Sequence, residues 1–326
     1  MRRVQRLSLG FVGFVLVAGL AESPATLAGT ALPTSVDFPG SDGTRIYGIN
    51  KAGDVVGTYE IRDTAVVVNR HGFLLANGHF STIDFPGGFG TEAYGINSVG
   101  EIVGVYWDNH GAALGRHGFL LSGGRFTRID GPHAFITRAL GINDSGQIVG
   151  VYTVREPSGI PGSEAGGLLF RLLGHPHPYD YEYGHGFVYA NGRFTNVDFP
   201  GAARGEQTLA SAINAAGQVV GNYLERNYVA SHGFLLTKAN YINVDVPGPR
   251  RTYPTGINMA GQVVGHLNYT IGFLWDQGRV TVLDFTHLIP EATNTMPCGI
   301  NDAGQIVGYY SATLSHEHGF ILNPDR

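Results

Sequence analysis

Residues 141–152 read GINDSGQIVGVY, and residues 299–310 read GINDAGQIVGYY. The same tripeptide stands at Gly48-Ile49-Asn50, Gly95-Ile96-Asn97, Gly141-Ile142-Asn143, Ala212-Ile213-Asn214, Gly256-Ile257-Asn258 and Gly299-Ile300-Asn301, at intervals of 47, 46, 71, 44 and 43 residues. A second phrase follows each copy, beginning at His71, His117, His185, His232, Ile271 and His318 and continuing Gly-Phe. A third ends in Asp37, Asp84, Asp130, Asp198, Asp245 or Asp284. One unit is therefore present six times, and the single stretched interval holds an insertion at about 153–184. A fixed period of this length marks a repeat architecture.

Each unit reads as four short strands. Asn50-Lys51-Ala52-Gly53 separates two β-prone runs, A and B; Asn starts a turn well and Gly supplies positive φ. Asn77-Gly78 separates two more, C and D, and is a strong type I′ hairpin signal. No helical period accompanies them. Units of four antiparallel strands at this spacing predict propeller blades. The chain opens with a lone D phrase, TSVDFPG at 34–40, and ends on a lone A-B-C. The expectation is an all-β, six-bladed β-propeller of four-stranded antiparallel blades over 33–326, its ring closed by the N-terminal strand pairing with the C-terminal blade. An open array would leave both sheet edges bare.

Arg2, Arg3 and Arg6 precede an apolar run from Leu7 to Ala21, too short to span a bilayer comfortably. Residues 1–21 read as a secretory signal, with cleavage after Ala21 or as late as residue 31. The product is expected to be secreted, extracellular or periplasmic, without a membrane span. Losing the three arginines takes the charge from −5 to about −8. An acidic chain argues against a nucleic-acid partner. The one cysteine, Cys298, cannot form an internal disulfide, and its strand position predicts a buried small hydrophobe. Stability must come from the core, which 43% hydrophobic residues can supply.

The phrases GINxxGxIVGxY and HGFL resemble the extracellular repeats of the HAF family over about residues 34–322, with Gly where the family signature has Ala and Ile271 where it has His. The resemblance implies export and a repeat fold, and no assigned catalytic residues. It also implies a C-terminal sorting tail; the chain ends ILNPDR, so surface sorting by that route is not expected.

In a two-residue hairpin, cross-strand partners have a constant index sum. The sums place His71 opposite Asp84, His117 opposite Asp130, His185 opposite Asp198 and His232 opposite Asp245. Ring closure would give His318 the carboxylate of Asp37. These pairs are read as structural clasps on each outer hairpin, worth roughly 0.2–1 kcal/mol apiece. Tyr59, Tyr106, Tyr152, Tyr223 and Tyr310 recur at matching places in the B strands and read as packing residues.

The A–B and C–D turns are short and nearly uniform, whereas the B–C and D–A loops diverge. Both divergent sets share one face, over the mouth of the central channel, and that face is the expected ligand surface. Its candidate ligand-binding residues are His175, His177, Tyr179, Asp180, Tyr181 and Glu182 in the insertion, and Arg204, Arg250 and Arg251 in the D–A loops. The insertion reads first as a polar loop; its tyrosines suit a sugar or protein patch, its His and carboxylates a metal, although no metal is assigned. The arginines suit carboxylates of an acidic ligand. Gly88-x-Gly90 lacks a following helix, and neither G-x-S-x-G nor H-E-x-x-H is present. No catalytic residue and no cofactor is expected. The function expected is a binding or interaction scaffold for polysaccharide or another extracellular protein. The alternative is a glycan-acting hydrolase or lyase with its site over the channel mouth, which acidic and arginine side chains converging there would favour.

Overall fold

The computed structural model describes residues 25–26, 32–62, 68–108, 115–154, 184–200, 202, 208–225, 230–238, 240–248, 251–313 and 316–324. Residues 1–21, expected from the sequence to be a signal, and most of the insertion lie outside them. Two short strands come first, β1 (Ala25–Thr26) and β2 (Thr34–Val36). Then follow β3 (Gly43–Ile49), β4 (Val55–Arg62), β5 (Val68–Ala76) and β6 (His79–Ile83), hydrogen-bonded in that order as one antiparallel sheet. The next unit gives β7 (Gly90–Ile96), β8 (Ile102–Asp108), β9 (Gly115–Ser122) and β10 (Arg125–Ile129); the third gives β11 (Ala134–Ile142), β12 (Ile148–Val154), β13 (Gly184–Ala190) and β14 (Arg193–Asn196). The fourth is β15 (Thr208–Ile213), β16 (Val219–Leu224), β17 (Ser231–Thr237) and β18 (Asn240–Asn243). The fifth is β19 (Thr252–Ile257), β20 (Val263–Leu267), β21 (Ile271–Asp276) and β22 (Arg279–Leu283). Last come β23 (Met296–Ile300), β24 (Ile306–Thr313) and β25 (His316–Leu322). The fold is an all-β propeller of antiparallel, four-stranded blades.

The hydrogen bonding does not divide into six separate sheets. Four sheets stand as single blades, one of which carries β1 parallel to its outer strand β22, and the fifth sheet joins eight strands, β7 to β14. The join is a single parallel pairing, Ile136 with Arg116. Its cause is local. The connection after β10 is only Asp130–His133, with Gly131 where four of the other units have Phe and one has Val246, so β11 starts early and its first residues run beside β9. In the sheet that ends the chain, β2 pairs with β25, Thr34 opposite Ile321 and Val36 opposite Gly319.

The repeated phrases have packing reasons. The glycine of each IVG or VVG lies opposite the phenylalanine of the following Gly-Phe, as Gly57 does Phe73 and Gly308 does Phe320. A Cβ on Gly57 would sit 2.0 Å from the Arg45 carbonyl oxygen and 2.8 Å from the Phe73 ring. The phenylalanines Phe73, Phe119, Phe187, Phe234, Phe273 and Phe320 are fully buried, each burial worth about 1.5–3 kcal/mol. Outside them the Asp-Phe-Pro phrase lays Phe38 on Tyr59, Phe85 on Tyr106 and Phe199 on Tyr223, with ring centroids 3.7, 3.5 and 3.8 Å apart.

At the axis the small residue of each Gly-Ile-Asn meets the next. A Cβ on Gly48 would lie 3.2 Å from the Gly95 Cα, on Gly95 3.1 Å from Gly141, on Gly141 3.1 Å from Ala212, on Gly256 3.0 Å from Gly299, and on Gly299 3.6 Å from Gly48. The asparagine that follows closes the circle. Asn50 Nδ2 donates to the Asn97 carbonyl, Asn97 to Asn143, Asn143 to Asn214, Asn214 to Asn258, Asn258 to Asn301, and Asn301 back to Asn50, at 2.9–3.4 Å.

Candidate functional site

The A–B end of the channel is spent on this ring. Each asparagine carbonyl also accepts from its turn glycine, as Asn50 does from Gly53 N–H and Asn301 from Gly304 N–H, so both lone pairs are occupied. Nδ2 also donates to the side chain four residues on: Asp54, Glu101, Gln147, Gln218, Gln262 or Gln305.

Above the ring, every A–B pairing contains a bulge. The register shifts between Ile46 and Gly48, Ala93 and Gly95, Ala139 and Gly141, Ala210 and Ala212, Pro254 and Gly256, and Pro297 and Gly299. The extra residues are Tyr47, Tyr94, Leu140, Ser211, Thr255 and Cys298. A bulge re-aims a side chain, and Tyr47, Tyr94, Leu140 and Cys298 meet in one cluster with Leu209, Met296 and Tyr309 from different units. The ring of bulged residues is lopsided. Three bulky side chains come from the first three units and three small ones from the last three. Thr255 and Cys298 keep accessible surface, whereas Tyr47 and Tyr94 are 7% and 6% exposed. Cys298 is therefore half-buried rather than the enclosed core residue its strand suggested, because the bulge turns it towards the axis. Its Sγ lies 3.4 Å from the Met296 carbonyl oxygen, and burial pushes its thiol pKa up.

The Tyr47 ring lies tilted by 36° against Tyr94 with centroids 4.7 Å apart, and its Oη has no hydrogen-bond partner among the described residues. Burial pushes the phenols of Tyr47, Tyr94 and Tyr309 well above their usual range, so all three remain neutral donors. Tyr94 Oη donates to Glu92 at 2.5 Å.

Two residues earlier on each A strand, nearer the D–A loops, stand Arg45, Glu92, Arg138, Leu209, Tyr253 and Met296. Here acids and arginines converge. Arg45 Nε lies against Glu317, and its Nη1 is 3.6 Å from Glu60. Arg70 spans two carboxylates, Glu60 at 2.9 Å and Glu92 at 3.3 Å. The chain Glu317, Arg45, Glu60, Arg70, Glu92 thus crosses from the last unit through the first to the second. Burial pulls the Arg45 guanidinium down, but Tyr47, Glu317, Tyr309 and Glu60 together hold it well above its usual value. The Arg45 guanidinium also stands 5.6 Å over the Tyr309 ring. At the rim, half-buried Trp107 and Tyr269 pack against the channel cluster, and Phe89 is 58% exposed.

Of the residues singled out in the sequence, His175, His177, Tyr179, Asp180, Tyr181, Glu182, Arg204 and Arg250 lie outside the described residues. Arg251 is half-buried, bridges to Ser231, and its carbonyl accepts from Asn268 N–H. Histidine Nδ1 stands 3.0 Å from the carboxylate in His71–Asp84, His117–Asp130, His185–Asp198 and His318–Asp37, and 2.5 Å in His232–Asp245. His232 Nε2 faces a second acid, Glu225, at 2.9 Å. These pairs belong to separate blades and do not converge. Where Ile271 replaces histidine, Asp284 instead accepts from Thr286 N–H and Oγ1. That unit holds a buried histidine elsewhere: His266 stacks on Tyr253 at 4.9 Å and lies tilted 5.2 Å from Tyr269, the two tyrosine rings being 4.6 Å apart, and burial lowers its pKa to about 3. Among the described residues no group of three His, Cys, Asp or Glu side chains is arranged to hold a metal.

Sequence reasoning looked to the loops over the channel mouth and missed the ring of bulged residues. Its signal was present: the residue before each Gly-Ile-Asn or Ala-Ile-Asn runs Tyr, Tyr, Leu, Ser, Thr, Cys inside an otherwise constant phrase.

No family model matches the sequence, and no curated protein matches it. Among solved structures, the chain is similar to the β-propeller domain of the Trilobed protease from Pyrococcus furiosus, with TM-score 0.47 and 10% identity, covering 87% of this chain and 96% of that one. It is similar to YCF48 bound to D1 peptide, with TM-score 0.47 and 12% identity, covering 93% and 100%. It also resembles Pyrococcus horikoshii acylaminoacyl peptidase, with TM-score 0.45 and 9% identity, over 83% of this chain but only 43% of the peptidase.

Proposed function

We propose that the chain is an exported, six-bladed propeller of HAF-type repeats, and that it serves as a binding scaffold. The eight-stranded sheet counts as two blades joined at one residue pair, which agrees with six asparagine turns around one circle. The ligand face is the one formed by the B–C and D–A loops, and the ligand a polysaccharide or another extracellular protein. The observation that carries this reading is the lopsided bulge ring. Its frame repeats six times while its inward side chains differ, and the asparagine circle occupies the opposite end. Deleting residues 156–183 removes much of one loop on that face; loss of glycan or protein capture by the secreted, folded variant is the expected result. Unchanged capture would count against the face.

A second reading, a glycan hydrolase or lyase, is favoured by Glu60 and Glu92 held to one arginine at the mouth. Paired carboxylates are the usual machinery of glycoside hydrolysis. Their pairing with Arg70 suits holding better than proton transfer. Release of reducing ends by the wild type, abolished in Glu92→Gln, would establish turnover.

A further inference from the structure

The outer strand of a sheet offers its unpaired N–H and C=O groups to any other extended chain. Here the outer strands of the units are β2, β6, β10, β14, β18 and β22, and each sets one residue opposite the buried phenylalanine of the strand beside it. Five times that residue is polar and exposed: Thr82 opposite Phe73, Arg128 opposite Phe119, Asn196 opposite Phe187, Asn243 opposite Phe234 and Ser35 opposite Phe320. In the fifth unit it is Val282, opposite Phe273. The polar corner beside it is replaced as well. In the first unit Tyr59 stacks on His71, and its Oη lies 3.0 Å from Thr82 Oγ1. Leu267, Ile271 and Val282 stand in those three places in the fifth. This is also the outer strand that, among the described residues, carries a further one. β1 runs parallel to β22, with Ala25 opposite Thr281 and Thr26 opposite Val282. Thr281 and Val282 are half-buried, whereas the matching pairs on β6, β10, β14 and β18 are exposed.

We infer that β22 is a strand-acceptor edge and that its occupant is the chain's own Ala25-Thr26 stretch, held there as a strap. Strand addition draws on backbone hydrogen bonds, with the neighbouring side chains setting which edge is used. The five polar edges keep water and discourage it; the valine edge gains from being covered. β1 and β2 are close in sequence yet lie on the sheets of the fifth and the last unit, so one stretch of chain spans both. The strap thereby blocks the one edge at which a second copy could add a strand. A consequence concerns processing. Cleavage after Ala21 keeps the strap and cleavage as late as residue 31 removes it, so the inference selects Ala21. That consequence rests on the export reading above; the strap does not.

The test uses the full chain. Ala25→Cys combined with Thr281→Cys should form an intramolecular disulfide on mild oxidation, because adjacent strands stand about 4.8 Å apart and disulfides span about 4.4–6.8 Å between Cα atoms. Ala25→Cys combined with Ser81→Cys, the matching place on β6, should not. Adding Val282→Asn, the residue type that β14 and β18 carry there, should slow the Thr281 crosslink several-fold. Intact mass of the exported protein should place its N-terminus at Glu22. Deleting residues 22–31 should leave a folded chain that associates with rising concentration in gel filtration, and Val282→Asn should reverse that association. No crosslink at position 281, equal crosslinking at position 81, a crosslink formed only between two chains, a mature N-terminus beyond Ala25, or a truncated chain that associates no more than the intact one would each overturn the inference. A chain that stays uncut in the cell while the crosslink at position 281 forms would refute export and uphold the strap.

Discussion

Replacing Asn301 by aspartate tests whether the propeller closes as a circle. Asn301 Nδ2 donates to the Asn50 carbonyl at 3.1 Å and to Gln305 Oε1 at 2.8 Å, while its Oδ1 accepts from Ala303 N–H and Gln305 N–H. The Asn50 bond joins residues 251 positions apart, the last unit to the first. Aspartate is nearly isosteric and keeps the two accepted bonds. It has no donor, so a carboxylate oxygen would face two acceptor oxygens at a residue only 5% exposed. Two lost hydrogen bonds at about 1 kcal/mol each, with about 1–3 kcal/mol for the uncompensated buried group, give about 3–5 kcal/mol of destabilisation. Chemical denaturation measures it as a shift in midpoint at constant slope. Asn143→Asp is the internal comparison, because Asn143 makes equivalent bonds to Asn214 and Gln147 away from the seam. The two variants should lose similar stability. If Asn301→Asp costs less than about 1 kcal/mol while Asn143→Asp costs several times more, the seam is open and the circle is refuted.

At the same seam, His318→Ala and Asp37→Ala should show a coupling of about 0.5 kcal/mol in a double-mutant cycle, small because both side chains are over a third exposed; additive losses would place the two out of contact. His266 is held neutral by burial, with a pKa near 3 against about 6.5 unfolded. Its contribution is complete above pH ~6.5 and falls by about 1.4 kcal/mol per pH unit as pH drops towards 3. His266→Phe should therefore flatten the acid limb of the stability profile; a parallel profile would contradict the assignment. His232 has the opposite sign: burial opposes its charge, but hydrogen bonds and charge from Asp245 and Glu225 raise its pKa. Its contribution is full below ~6.5 and lost as pH rises through the raised value, so NMR titration should find it protonating at higher pH than a model histidine, and Glu225→Gln should lower that midpoint. Cys298 should react with N-ethylmaleimide more slowly than a free thiol, because burial raises its pKa, and at the ordinary rate in denaturant; a fast native reaction would contradict its place in the channel.

What was legible in the sequence was local. The strands and turns follow from short β-prone runs and from Asn and Gly turn chemistry, which act within a dozen residues and repeat in each unit. The constant glycines and phenylalanines are cross-strand partners in adjacent B and C strands, so their recurrence announces the sheet. Six separate sheets were a reasonable count from those units. The union of β7–β14 came from one short connection at Asp130–His133, whose effect appears only when neighbouring blades pack.

The axis was decided by tertiary structure. Bulges at Tyr47, Tyr94, Leu140, Ser211, Thr255 and Cys298 break strict alternation, so no count along the strand could tell which way those side chains point. The asparagines look like ordinary turn formers until six of them are brought around one axis, where the second Nδ2 hydrogen finds the neighbouring turn's carbonyl. The ion chain joins Glu317 to Arg45, residues near opposite ends of the polypeptide, and the partner of a charge is set by packing, not by spacing in sequence. Sequence alone determined the repeating frame, because short-range hydrogen bonding and steric preference write it into every copy. Only the assembled ring decided which unlike side chains meet inside it, because that depends on contacts between copies that are distant along the chain.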